Sequence, residues 1–310
     1  MESNRSGTPH TMNQPAFPTW IRRTWPSGAS HQEVKRLMGE LHLHTVCQSA
    51  HCPNQGECWS RRTATFMILG NVCSRNCHFC AVQPGRPSEV DLEEPDHVAE
   101  AIKRLALRHV VITSVTRDDL PDGGAEQFAQ TIAAIRAYSP ETTIEVLTPD
   151  FDGDHDALKQ VLDAAPEVFS HNIETVARLH PILRDRRANY RRSIEVLAAA
   201  RKYSSKSIIK SGFMAGCGET DVEVRQTLND LLNAGCQAVS IGQYLQPTPN
   251  HYPVAAFISP EQFTTYEKMA YDLGFTFAVA GPFVRSSYRS EELLAAWHAH
   301  KNNIGAGHAV

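Results

Sequence analysis

Six of the chain's eight cysteines fall between Cys47 and Cys80, and the other two, Cys217 and Cys236, stand alone far downstream. Cys73, Cys77 and Cys80 are separated by three and then two residues, so one short loop gathers three thiolates. Cys47, Cys52 and Cys58 are separated by four and then five residues, in a run that includes His51 and follows His42 and His44. In a reducing compartment such clusters bind metal or do redox chemistry rather than form disulfides. Soft thiolates suit zinc or iron–sulfur clusters. The two differ in closure: structural zinc takes four protein ligands, whereas a four-iron cluster held by three cysteines leaves one iron open to a further ligand. The Cys73 triplet fits the open cluster. For the Cys47 triplet, zinc completed by His42, His44 or His51 is the competing reading. Cys217 and Cys236 read as small core residues and not as ligands.

Ligands of this kind need a rigid base, and the chain provides one. From residue 64 onward short apolar runs alternate with amphipathic helical patterns, as in consecutive βα units around a parallel sheet. The spacing predicts strands over 64–70, 109–115, 142–147, 168–174, 207–214 and 238–245. Helices are predicted over 94–107, 125–138, 156–165, 190–203, 221–234 and 260–273. Thr220 with Glu223, and Ser259 with Pro260 and Gln262, supply N-terminal caps, while Gly235 and Gly274 supply left-handed stops. Six right-handed units curl toward a barrel but fall short of the usual eight, so the expected α/β fold is a partial (β/α)6 TIM-like barrel. An open doubly wound sheet fits the same alternation. In a barrel the chemistry sits at the C-terminal ends of the strands, and the Cys73 loop directly follows the first one. The expected layout is a flexible tail over 1–30, an N-terminal extension over 31–62, the barrel over 63–280, and a closing segment over 281–310. The proline-bearing start lacks the periodicity of a targeting helix.

The Cys73 triplet, with Phe79 before its last cysteine, resembles the signature of the radical S-adenosylmethionine (SAM) superfamily. That resemblance implies SAM chelating the open iron and yielding, with one electron, a 5′-deoxyadenosyl radical able to take hydrogen from an unactivated carbon. An alkyl C–H has no useful acidity, so the cofactor must carry this step. With the Cys47 triplet just upstream, the resemblance narrows to the lipoyl synthase family. It continues through residues 62–70, 117–125, 171–176, 210–212 and 281–288, and spans about Pro18 to Tyr288. It implies two 4Fe-4S clusters: a radical cluster on Cys73, Cys77 and Cys80, and an auxiliary one on Cys47, Cys52, Cys58 and Ser287, the second serine of Arg285-Ser286-Ser287-Tyr288. A hard alkoxide is a poor partner for soft iron, which suits Ser287 to release it during catalysis.

The implied reaction takes hydrogen from carbon 6 and then carbon 8 of an octanoyl-lysine, using two SAM molecules and sulfur from an auxiliary cluster that is consumed. The implied partners are octanoylated lipoyl-carrier proteins or domains, a low-potential donor such as ferredoxin or flavodoxin, and an iron–sulfur carrier that rebuilds the cluster. Gly123 and Gly124 resemble the superfamily's glycine pair at the SAM amino group, although a plain turn into the next helix explains them equally. Asn172 and Glu174 fit SAM contacts or a buried polar pair bracing the sheet. Arg184, Arg186, Arg187, Arg191 and Arg192 could grip the SAM carboxylate or steer an acidic carrier, or form a solvated helix face. The family pattern places a glycine and an acidic residue near Arg187 and Ala188, a departure that puts substrate contacts there in doubt. Two other functions compete: another sulfur-inserting radical SAM enzyme, whose auxiliary ligands are placed differently, and a zinc-stabilised binding module.

With 30 Lys and Arg against 34 Asp and Glu, the chain has no overall attraction for nucleic acid or anionic membrane. It lacks an apolar run of the roughly 18 residues that a membrane span needs, and a cytoplasmic location is expected.

Overall fold

The computed structural model describes residues 17–21, 29–50, 52–60, 65–288, 290, 292–294 and 297. Most of the expected tail, His51 and the last residues of the expected closing segment lie outside the described residues. In chain order the strands are β1 (His44–Thr45), β2 (Thr65–Ile68), β3 (Val72–Cys73), β4 (Gln83–Pro84), β5 (His109–Ser114), β6 (Thr143–Leu147), β7 (Val168–Ser170), β8 (Ile208–Ala215), β9 (Ala238–Gln243) and β10 (Phe277–Gly281). The helices are α1 (Ala29–Glu40), α2 (Val46–Ser49), α3 (Gln55–Ser60), α4 (Glu94–Leu105), α5 (Ala125–Tyr138), α6 (His155–Asp163), α7 (His180–Leu183), α8 (Tyr190–Tyr203), α9 (Asp221–Asn233) and α10 (Pro260–Leu273). No helix among the described residues is long and apolar enough to cross a membrane.

The main sheet runs β1-β2-β5-β6-β7-β8-β9-β10. Every pairing from β2 onward is parallel, and β1 adds one antiparallel step at the edge. Strand order rises without reversal, which is the winding of a barrel, whereas a doubly wound sheet reverses at a switch point. Among the described residues β10 does not pair with β1 or β2, so the barrel is partial, as expected.

Strands β2 and β5 to β9 are buried along most of their length, which explains their near-continuous apolar character. In β5, Val110 and Ile112 join the main hydrophobic core, while His109, Val111 and Thr113 alternate onto an interior cavity. The expected caps form: Thr220 and Glu223 make a reciprocal capping box on α9, Ser259 caps α10, and Gly274 ends α10 in the left-handed region.

Three features depart from the sequence pattern. β10 is a seventh parallel strand beside β9; its short, alanine-rich run carries little strand signal. The strand expected over 168–174 stops at Ser170, because the Ser211 hydroxyl enters the ladder. It donates to the His171 carbonyl (2.8 Å) and accepts from the Ile173 amide (3.2 Å). Pairing resumes only at Glu174, which sits at φ +68° opposite Phe213. Finally, the N-terminal extension is helical: α1 buries Val34, Leu37 and Met38 against the core, and His31 lies 5.0 Å from the fully buried Trp59 ring. At the opposite end of the barrel Leu293, Leu294 and Trp297 pack against Val168, Ile208 and Ala238, the first residues of three strands.

Candidate active site

The loop after β2 carries Cys73, Cys77 and Cys80, and several other loops brace it. The Arg75 and Thr116 amides each donate to Cys73 Sγ at 3.4 Å, and the Asp185 amide donates to Cys77 Sγ at 3.3 Å. Arg75, nearly fully buried, pairs with Asp118 (2.7 Å) and Asp150 (2.8 Å), tying the loop to the ends of β5 and β6. Burial pulls its pKa down, but these carboxylates hold it above an ordinary guanidinium. Burial pushes Asp150 up, and Arg75 more than offsets this, bringing it to about 2. His251 reaches the Cys80 carbonyl through Nε2 (3.0 Å), and Asp185 accepts from the Asn76 amide (2.8 Å). Asp185 is itself held below the carboxylate range, chiefly by Arg187.

Cys47 lies in α2, whose first turn Thr45 caps, Cys52 in the following loop, and Cys58 in α3. None of the eight cysteines is in a disulfide. Burial pushes Cys47 and Cys80 up to about 12 and raises Cys77 as well. Such thiols give up their protons to a metal and not to water. The buried Trp59 indole N–H is turned toward Cys47 and works against the effect of burial on that thiol.

All six cysteines, together with Ser287, Asn172 and Glu174, line one cavity of about 360 Å³ inside the barrel. Its apolar wall includes Val46, Met67, Val111 and Leu147. Glu174 opens onto this cavity, and burial raises its carboxyl against the pull of Arg184 and Asn172. Arg184 lines the same space. Asn172 makes its closest contacts to Ser286 Oγ, at 2.7 and 2.9 Å.

Gly123 and Gly124 are not in this wall. They take φ +61° and +91° in the turn into α5, and a Cβ on Gly124 would stand 2.3 Å from Leu69 Cδ1. Asp122 closes the turn by accepting from the Gly124 and Glu126 amides. Among the arginines, Arg187 is taken up by Asp185 and Asp118, Arg191 by Glu195, and Arg192 by Asp150 and Asp152, while Arg186 is exposed.

Sequence reasoning assigned no role to Arg75, Asp118, Asp150, His251 or Asn54. The signal for Arg75 was its place inside the cysteine loop; the others become visible only once the barrel is wound.

The donor set fits iron–sulfur clusters. Soft sulfurs face a shared cavity, amides already donate to two of them, and the buried Trp59 indole N–H is turned toward a third.

Residues 67–231 match the model of the radical SAM superfamily. The chain is 54% identical over 275 residues to the lipoyl synthase of Rubrobacter xylanophilus, covering 89% of this chain and 85% of that one. It is 52% identical over 278 residues to the lipoyl synthase of Thermus thermophilus, covering 89% and 86%. The chain belongs to the lipoyl synthase family. Lipoyl synthases are sulfur-inserting radical SAM enzymes that use 4Fe-4S clusters and act on octanoylated lipoyl-carrier proteins. The fold is also shared with methylornithine synthase (TM-score 0.54, 11% identity, 85% of this chain and 88% of that one). A further fold relative is the FeFe-hydrogenase maturase HydG from Carboxydothermus hydrogenoformans (TM-score 0.55, 14% identity, 84% and 73%).

Proposed function

We propose that this lipoyl synthase family member inserts sulfur at carbons 6 and 8 of an octanoyl-lysine on a lipoyl-carrier domain, with two clusters held in one cavity. The observation that carries the reading is the convergence of both cysteine triplets and Ser287 on the walls of that cavity. When bound, the clusters and SAM supply a 5′-deoxyadenosyl radical and the sulfur to be transferred.

Cys73, Cys77 and Cys80 hold the radical cluster, and Cys47, Cys52, Cys58 and Ser287 hold the auxiliary one. Asn172 and Glu174 orient SAM, with Arg184 beside them to meet its carboxylate. Gly123 and Gly124 act at one remove, through the turn after β5 that only their backbone conformations permit. The apolar wall suits an extended octanoyl chain and excludes water that would divert a radical. A ferredoxin or flavodoxin supplies electrons and an iron–sulfur carrier restores the auxiliary cluster, in the cytoplasm, where thiols stay reduced.

The test is anaerobic mass spectrometry of an octanoyl-lysyl peptide incubated with cluster-loaded protein, SAM and a strong reductant. Gain of two sulfurs alongside 5′-deoxyadenosine is expected. Formation of 5′-deoxyadenosine over an unchanged peptide would reopen the substrate assignment.

A further inference from the structure

Beneath the cavity lies a buried ion pair that the reaction itself does not require. Lys210 on β8 donates from Nζ to Glu145 on β6, at 2.9 Å to Oε1 and 3.2 Å to Oε2, and both side chains are almost wholly excluded from solvent. Glu145 also accepts from the Ser170 hydroxyl at 2.9 Å. Burial pushes the Glu145 carboxyl up, and the Lys210 ammonium together with the His109 ring, 3.8 Å from Oε2, more than reverses this, leaving it below its ordinary value. A buried pair of this kind is a weak means of stabilising a fold, since two apolar side chains of similar volume do as well or better.

The third contact of Lys210 leads off the barrel wall. Its Nζ donates to the Ser286 carbonyl at 2.6 Å, across 76 residues. The same stretch of chain is held at two further points. Asn54, between Cys52 and Cys58, donates to the Phe283 carbonyl at 2.7 Å, and Asn172 bonds Ser286 Oγ. Below it the barrel is cut away to make room. A Cβ on Gly242 would lie 2.1 Å from the Val284 carbonyl oxygen, and one on Gly212 would lie 3.1 Å from Ser286 Oγ.

We propose that Lys210, oriented by Glu145, is a positioning residue for Ser287: by gripping the Ser286 carbonyl it fixes the adjacent serine where the auxiliary site needs its fourth ligand. The charge is used because an ammonium binds a backbone carbonyl about twice as strongly as a neutral donor does. Glu145 keeps that ammonium aimed. The proposal rests on the reading of Ser287 as a ligand.

The test uses the full chain with Cys73, Cys77 and Cys80 all changed to Ala, so that only the auxiliary site loads, and reads electron paramagnetic resonance after anaerobic reconstitution and oxidation. A cluster lacking its fourth ligand sheds that iron and gives a three-iron signal. In this background Ser287→Ala should raise the three-iron fraction, and the apolar pair Lys210→Met with Glu145→Met should raise it comparably, about 10-fold over the parent, with the circular dichroism unchanged. If Ser287→Ala retains four irons, the ligand reading fails. If Ser287→Ala loses iron while the Met pair retains it, the Lys210 proposal fails. Should the Met pair not fold, Lys210→Ala with and without added propylamine decides. Recovery of the four-iron form with the amine supports the proposal, and iron loss that the amine leaves unchanged overturns it.

Discussion

The two cysteine triplets face one cavity but are held in different ways. The Cys73 loop is fixed by a buried guanidinium, by two carboxylates on neighbouring strand ends, by amides from two other parts of the chain, and by the His251 ring. The Cys47 triplet rides on two short helices, joined to the barrel edge through the two-residue pairing of β1 with β2. Its polar tie to the far end of the chain runs from Asn54 to Phe283, 229 residues away. Charge and strand ends make the first site rigid. The second is assembled from two segments far apart in sequence, and it holds the cluster that is proposed to be dismantled at each turnover.

The largest effects should separate the triplets outright. Cys77→Ala is expected to abolish both SAM cleavage and sulfur insertion, and Cys58→Ala to abolish insertion alone, measured as 5′-deoxyadenosine and thiolated peptide in the same reaction. Equal loss of SAM cleavage in two folded variants would break the comparison.

Next in size is Arg75→Met, which leaves the buried Asp150 carboxylate with Arg192, 3.7 Å away, and should cost about 3 kcal/mol, seen as a lowered melting temperature, together with SAM cleavage. A normal melting temperature would show that the loop does not depend on this pair.

A smaller, pH-dependent effect should come from His171. Its Nδ1 lies 2.9 Å from the Thr148 carbonyl and its Nε2 2.9 Å from Ser193 Oγ, so the neutral ring donates at one end and accepts at the other. Burial lowers its pKa to about 4, from 6.5. The unfolded chain therefore binds the extra proton first as pH falls. Stability is complete above 6.5 and is lost as pH falls toward 4, by about 1.4 kcal/mol per pH unit at most. Replacement by Gln should flatten the melting temperature over that window, and an unchanged slope would assign it to other groups.

Smallest is Arg191→Ala. The exposed pairing of Arg191 with Glu195 on α8 is expected to contribute under about 0.5 kcal/mol and to leave both activities intact. A large loss of insertion there would instead mark a carrier-docking contact.

Much of this architecture was legible beforehand, and the reasons are local. α5, α8 and α10 begin and end where the sequence pattern places them, and the two triplets that the cysteine spacing singled out line one cavity. β10 was missed because five residues rich in alanine look like linker. The irregular stretch 171–174 was missed because it depends on Ser211, a side chain from the neighbouring strand, entering the ladder. Gly123 and Gly124 fitted both a SAM contact and a plain turn from the sequence, and the structure shows the turn, with a close approach to Leu69. Lys210 and Ser286 could not be joined from sequence at all, because nothing in a single chain records which strand ends the winding will bring together.

The most direct test of the division of labour follows the sulfur itself. Protein whose clusters are rebuilt with heavy-isotope sulfide, then given SAM, reductant and an octanoyl-lysyl peptide without other sulfide, should yield product in which both new sulfurs are heavy. Product carrying light sulfur would show that neither cluster in this cavity is the donor, and would contradict the role assigned to Cys47, Cys52, Cys58 and Ser287.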